Sequence, residues 1–348
     1  MKTSAKPQKI AEYLSLCGPS VEKVEKVGQD WLYSIEVTTN RVDSAGVIGI
    51  AREAAAILPR FGVKAHFNRL KIGAAQNLAT QVDYLEAEID YKLCSRFTAV
   101  LIKNVKIGPS PKWMQERLQL IELRPLNNIV DISNYLMYEL AQPTHTFDCD
   151  KINKFVSGEI KDHKMILRAS KPGEKITTLD GKTYTLPGND IVIKDGSGRL
   201  IDLAGIMGGK NSAIDENTKN ILLFVQTYNP VNIRRTSMAT SARSEATSLF
   251  EKGLDPELVE PTIRRGIDLF VKLCKGTPEA KILDLYPNPY TPTTIKTTLQ
   301  FIQARLGVEI SKNEISQILS GLGFSTDWQG DTLVATVPSY RNRDVAIP

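Results

Sequence analysis

Residues 286–294 read YPNPYTPTT, three prolines in nine positions. Proline has no N–H to donate and holds its φ near −65°, so neither a continuous helix nor a central strand runs through such a stretch. The chain must therefore fold as a long part before this linker and a short part after it. A length of 348 residues agrees, because one ordinary core rarely serves that many. No run of about eighteen apolar residues occurs, so no helix is expected to span a membrane. The start, MKTSAKPQKIAEYLSL, has lysines but no apolar core of a secretory signal. Cys17, Cys94, Cys149 and Cys274 lie far apart, which argues for a reducing compartment and against structural zinc. The net charge of +5 suits an anionic partner such as RNA and equally a mildly basic soluble protein.

Local patterns divide the rest. LYSIEVT predicts a strand, TNRVDSAG a turn in which Asp43 or Ser44 caps, and VIGIAREAAAILPRFG a helix. Residues 63–94 carry weak periodicity and read as a connector. Strands are predicted at RFTAVLIKNVKI, MILRAS, DIVIKD and NILLFVQTY, and helices at PKWMQERLQLIEL, DISNYLMYELA and DPELVEPTIRRGIDLFVKLC. In that last helix Asp255-Pro256 makes a start, and Pro261 should bend or restart it. EKITTLDGKTYTL predicts a hairpin with Asp180-Gly181 in a two-residue type I′ turn. After the linker, Ser311 and Glu314 form a capping box before a stripe of Ile315, Ile318, Leu319 and Leu322. A hairpin over STDWQGDTLVATVPSY follows.

Several motifs fail on inspection. GIMGGKNS has three residues between its first glycine and Gly-Lys where a phosphate loop has four, and Asn211 stands where that loop needs Ser or Thr. It reads as a glycine turn between strands that admits close approach of a backbone or ligand. Gly-Leu-Gly at 321–323 reads as a helix C-cap. Arg234, Arg235 and Arg243 in NIRRTSMATSARSEAT read as a solvated face, with phosphate contact as the alternative.

The stretch RPLNNIVDISNYLMYELAQPTHTFD holds His145, one of three histidines in the chain. The helix within it should bury Ile132, Leu136, Met137 and Leu140, with Pro143 ending it and holding Gln142 extended. His145 then lies in an extended THTFD segment that could face back across Ser133 and Asn134. For an isolated histidine a structural role prevails over a chemical one.

The company it keeps changes that balance. This stretch, with IGPSPKW before it and AGIMGG, TKNILL and RSEATSLFEKGLDPE after it, resembles the editing domain of the bacterial-type phenylalanyl-tRNA synthetase β-subunit family. IEVTTNRVDSAGVIGIAREAAAI resembles the segment entering that domain, and residues 290–348 resemble the start of the family's B5 domain. The resemblance implies a multidomain α/β to α+β fold. Residues 1–94 would form a small N-terminal α/β segment with its connector. Residues 95–285 would form a mixed-sheet B3/B4 editing domain, and residues 290–348 a partial, helix-turn-helix-like B5 domain.

It also implies a function. In the family the β subunit joins a catalytic α subunit as an (αβ)₂ tetramer in the cytoplasm. The α subunit makes phenylalanyl adenylate with ATP and Mg2+, and the B3/B4 domain hydrolyses tyrosine wrongly attached to tRNA(Phe). A pocket shaped for a phenyl ring rejects an added hydroxyl by only about a hundredfold in a comparable case, so a second sieve is useful. Carried over residue by residue, Arg124 matches an arginine that holds the tRNA end, and His145 a histidine that orients water or acts as a weak base. Asn134 matches, and Ser133 keeps the hydroxyl of a usual threonine. Ala204, Gly205 and Gly208 match small residues that leave room for a ring. Ser244 replaces a threonine, and Ala246 matches.

The departure is Phe224, which stands where the family carries the glutamate that binds the tyrosine hydroxyl. A weakened preference for tyrosine follows unless Gln226, Ser244 or water takes that bond, and Phe224→Glu is expected to improve it. Asp344 resembles the first acidic Mg2+ ligand of the B5 domain, but its spacing from Arg341 is unusual and its acidic partners are not among these residues, so no cofactor is expected for this chain alone. The tRNA-binding OB-fold, the catalytic-like domain and the class II motifs have no counterpart in it. Three readings remain: a partial β subunit with a deacylase site, a freestanding deacylase acting on mischarged tRNA, and a tRNA-contacting module with a decayed pocket.

Overall fold

A computed structural model describes residues 1–153 and 163–348. The chain divides into two compact units, residues 1–70 with 290–348, and residues 71–289.

The first unit holds a helix, Pro7–Cys17, a hairpin of Ser20–Val27 and Asp30–Glu36, and a second helix, Val47–Ile57. Leu14, Ala54, Ile57 and Leu58 form the core there. The first helix and the strand Ser20–Val27 carry no signal strong enough to predict them. Val21, Val24 and Val27 alternate with charged residues over too few positions, and the paired strand supplies what the pattern lacks. Asp43 and Ser44 do not cap the second helix, whose N-cap is Gly46 with no side-chain bond. Asp43 is instead buried and ion-paired with Arg41 and Arg52.

The C-terminal segment of this unit is a three-stranded antiparallel sheet, ordered Thr294–Thr298, Thr332–Thr336, Ser325–Gln329. It carries two helices, Leu299–Leu306 and Lys312–Gly321. Ser311 caps the second by accepting the N–H of Glu314, as predicted, while the Glu314 carboxylate pairs with Arg60. Gly323 takes a positive φ of 88° after it, the C-cap geometry expected of Gly-Leu-Gly.

The second unit is built on two mixed sheets. One runs Asn77–Ala79, Lys281–Leu285, Cys94–Lys103, Ile221–Tyr228, Thr144–Asp148, with Thr277–Pro278 added beside Cys94–Lys103. The other runs Met207–Gly208, Leu200–Leu203, Ile191–Asp195, His163–Ala169, Leu85–Ile89. Residues within 63–94 thus enter both sheets rather than only connecting. The strand Ile221–Tyr228 is buried at every position, which is why it reads as an unbroken apolar run.

Helix Asn128–Leu140 starts at Asn127, whose side chain accepts the N–H groups of Ile129 and Val130, each at 3.0 Å. Ile132, Leu136, Met137 and Leu140 are all buried on it. It is closed by Ala141 in the left-handed region at φ 59°, before Pro143 is reached. Helix Val259–Cys274 follows a single turn at Pro256–Leu258, and Pro261 falls in its first turn, where no intrahelical N–H is needed. The hairpin Lys175–Thr177 and Thr183–Thr185 forms, but not through a two-residue turn. Its loop is residues 178–182, where the N–H of Gly181 bonds to Thr178 O and that of Thr178 to Lys182 O. Only Gly181 of the Asp180-Gly181 pair has positive φ.

Candidate functional site

In the second unit a pocket opens between the two sheets. Pro143, Thr144, His145, Phe224, Gln226 and Tyr228 come from the first sheet and its approach, Asp202 and Gly208 from the second. Gly205, Ile206, Met207, Ala246 and Phe250 complete the wall. About 390 Å³ of empty space lies within it, part of that open solvent, which is the range of a small-ligand site.

Strand pairing places the residues. His145 stands opposite Phe224 across the antiparallel pair, and Asp202 stands opposite Gly208 in the other sheet. Before His145 the chain is anchored by Gln142, whose Nε2 donates to the carbonyl of Gln226 at 2.9 Å. The imidazole sits edge-to-face on Phe147 at 4.7 Å and on Phe224 at 5.7 Å. Burial among these rings lowers its pKa to about 4, so at neutral pH it is uncharged. Among the described residues none hydrogen-bonds its ring nitrogens, and a neutral imidazole so placed accepts or donates a proton without first breaking a bond.

The pocket's polar groups come from elsewhere. Asp202 is 4% exposed and has no hydrogen-bond or ion-pair partner among the described residues, and desolvation raises its pKa to about 7. Gln226 Nε2 and Thr144 Oγ1 are buried without partners. The hydroxyl of Tyr228 donates to Gln226 Oε1 at 3.1 Å.

Of the residues singled out by resemblance, His145, Gly205, Gly208, Phe224 and Ala246 meet in this pocket. Arg124 is exposed on the segment between two helices, and Ser133 and Asn134 lie half-buried on helix Asn128–Leu140. None of the three lines the pocket, so His145 does not face back across Ser133 and Asn134 as the extended segment suggested. Strand pairing turns it toward Phe224 and Gly208 instead. Ala204 is buried at the end of its strand.

The room left by the glycines is taken by the protein itself. A Cβ on Gly205 would meet Ile233 at 2.6 Å and Tyr228 at 3.0 Å, and one on Gly208 would meet the His145 ring. Ser244 is also committed: its Oγ donates to Ile206 O at 3.0 Å and accepts the Thr247 N–H at 3.2 Å, capping helix Glu245–Phe250. Phe224 is 1% exposed and stacked on Phe147 at 4.8 Å, a member of the aromatic core as much as a wall of the site. A carboxylate there would first disrupt that core. The Asp344 carboxylate is paired with Arg341, whose Nε lies 2.9 Å away, so a guanidinium holds the place expected for a cation. Among the described residues no group of three or more His, Cys, Asp or Glu could hold a metal ion.

Asp202 was missed. Its signal was present in LIDLAG, a carboxylate inside an apolar strand, where a charge has no reason to be unless something meets it.

A mixed-sheet domain with a histidine-bearing pocket, followed by a small helix-and-sheet segment, defines the class to which the chain is assigned. Residues 93–275 match the B3/4 domain and residues 295–348 the tRNA synthetase B5 domain; the chain belongs to the B3/4 domain family. It is 42% identical over 307 residues to the phenylalanine–tRNA ligase beta subunit of Clostridium tetani, covering 88% of this chain and 37% of that one. The Clostridium acetobutylicum subunit is 39% identical over the same extent, and that of Carboxydothermus hydrogenoformans 37% identical over 328 residues, 93% of this chain and 39% of that one. The chain thus spans under two-fifths of the length of these relatives. An N-terminal fragment of the phenylalanyl-tRNA synthetase beta subunit from Pyrococcus horikoshii superposes with a TM-score of 0.46 at 12% identity, over 97% of this chain and 89% of that one. No helix among the described residues is long and apolar enough to cross a membrane.

Proposed function

We propose that this chain contributes to a phenylalanine–tRNA ligase β subunit and that its pocket hydrolyses an aminoacyl ester, tyrosine wrongly joined to tRNA(Phe). The observation that carries this is His145, an uncharged imidazole with no described hydrogen-bond partner on the wall of an aromatic pocket. A ring nitrogen takes a proton from water as the water oxygen bonds to the ester carbonyl carbon. The acyl–oxygen bond then breaks, the tRNA hydroxyl leaves with a proton, and free amino acid is released. A positioned base of this kind is worth about 10²–10⁴-fold in rate. Arg124, exposed outside the pocket, serves tRNA contact. The α subunit, in an (αβ)₂ assembly in the cytoplasm, supplies adenylate formation with ATP and Mg2+. Residues 1–94, 95–285 and 290–348 are the domains this reading assigns.

The test is single-turnover hydrolysis of tyrosyl-tRNA(Phe) by the chain and by His145→Ala. A rate above buffer that falls at least about a hundredfold in the variant is expected. Equal rates for the two proteins would overturn the reading and leave a tRNA-contacting module, which the positions of Arg124, Ser133 and Asn134 outside the pocket favour as the second choice.

A further inference from the structure

The pocket holds more polar capacity than the protein uses. Its walls are Phe224, Phe250, Ile206 and the Tyr228 ring, so any occupant is mainly apolar. Yet two polar side chains more than nine-tenths buried line it with capacity to spare, the Asp202 carboxyl and the Gln226 amide. Unpaired groups of this kind cost stability, and a protein keeps them where something else completes the bonds.

Their arrangement says what that partner must offer. The Oε1 of Gln226 is occupied by the hydroxyl of Tyr228, which turns Nε2 away as an unused donor. Asp202 contributes carboxyl oxygens that no described residue contacts, so it is an unused acceptor. One donor and one acceptor at the same apolar-walled pocket match a group that both donates and accepts. A hydroxyl does both through a single oxygen; a carboxylate would face Asp202 unfavourably, and an ammonium could not accept from the amide. The two residues approach from different sheets, Asp202 from Leu200–Leu203 and Gln226 from Ile221–Tyr228, so the pair exists only in the folded domain.

We infer that Asp202 and Gln226 bind the hydroxyl of an aromatic side chain in this pocket, Asp202 accepting its hydrogen and Gln226 Nε2 donating to its oxygen. This makes the two the specificity residues of the site and rests on the hydrolytic reading above only for the identity of the whole substrate. It also answers the departure at Phe224. Of the substitutes for the missing glutamate, Ser244 is committed elsewhere and Gln226 is open, with Asp202 as its complement.

The experiment separates binding from hydrolysis. Tyrosinamide and phenylalaninamide, which carry the two side chains but no tRNA and no ester, are titrated by NMR into the full chain and into Asp202→Leu, Asp202→Asn and Gln226→Leu. The wild type is expected to bind tyrosinamide at least about tenfold more tightly, the effect of leaving buried polar groups unpaired with the phenyl probe. Asp202→Leu and Gln226→Leu should bring the ratio toward one. Asp202→Asn, nearly the same shape and still able to accept, should keep part of it, which a merely structural role would not predict. Asp202→Leu should unfold at no lower temperature than wild type at pH 8, because it removes an unpaired buried carboxylate. An equal affinity for the two probes in the wild type, no binding of either, or a preference that survives Asp202→Leu would each overturn the inference. Absent ester hydrolysis with an intact binding preference would overturn the proposed reaction and leave this pair as a hydroxyl-recognition site.

Discussion

Gly208 stands directly behind the imidazole of His145: a Cβ placed on it would lie 2.5 Å from Cε1 and 2.6 Å from Nε2. Real Cβ atoms do not come so close, so a side chain there must displace the ring. Gly208 belongs to one sheet and His145 to the other, and the missing methyl lets the ring occupy its place. Gly208→Ala should therefore fold, with a loss of about 1–3 kcal/mol from overpacking, while hydrolysis falls as far as in His145→Ala. Comparing the rates of the two variants, with urea unfolding as the control, checks this.

Acid titration should expose two opposed contributions from the pocket. His145 is lowered from 6.5 to about 4 in the folded chain, so the unfolded chain takes up a proton first, and this contribution is lost as pH falls from about 6.5 to about 4. Asp202 is raised from 3.8 to about 7, so its contribution is full below 3.8 and is lost as pH rises toward 7. In the wild type the two partly cancel. Relative to it, His145→Gln should gain stability as pH falls from 6.5 to 4, and Asp202→Asn should gain stability as pH rises from 4 to 7. Urea midpoints at pH 4, 5.5 and 7 read both differences, and parallel curves for all three proteins would refute the assignment.

Phe224 should matter to folding before it matters to specificity. It is stacked on Phe147 and lies 6.2 Å from Phe97 and 5.7 Å from His145. Phe224→Ala should cost about 3–5 kcal/mol. Phe224→Glu should cost at least as much at neutral pH, since the carboxylate gains no described cation in that cluster. Denaturant titration of both variants gives the comparison.

A buried charge cluster should be the weak point of the first unit. Asp43 receives Arg41 at 3.0 Å and Arg52 at 3.3 Å, and Glu53 receives Arg41 at 2.7 Å and Arg341 at 3.5 Å. Removing one partner of such a buried pair leaves the others uncompensated and costs about 3–5 kcal/mol. Asp43→Ala should show that loss in thermal unfolding, whereas Glu12→Ala, which breaks an exposed pair with Lys9, should change stability by under about 1 kcal/mol.

Much of the local structure was legible because its causes are local. Ser311 signals the start of a helix from its own side chain, and the stripe of Ile132, Leu136 and Leu140 follows from helical period alone. His145, Gly208 and Phe224 were found through motif resemblance, since nothing in their immediate neighbours says that they meet. The hairpin at Asp180-Gly181 shows the limit of local reading. The dipeptide allows a tight turn, but pairing of Thr177 with Thr183 sets a longer loop.

What the sequence determined by itself was the set of helices with strong caps and stripes, the buried central strand, the break at the proline linker, and a family resemblance carried by long motifs in fixed order. The tertiary structure alone decided which residues share the pocket. It left Ser133 and Asn134 on their helix and brought Asp202 and Gln226 in from separate sheets. It also joined Arg41 and Glu53 to Arg341 from the far end of the chain. The physical reason is that caps and periodicity act over a few residues, whereas sheet pairing joins positions far apart in the chain and burial is a property of everything packed around a group. The lowered pKa of His145 and the raised pKa of Asp202 both come from desolvation, a quantity that no stretch of sequence contains until the two sheets close over it.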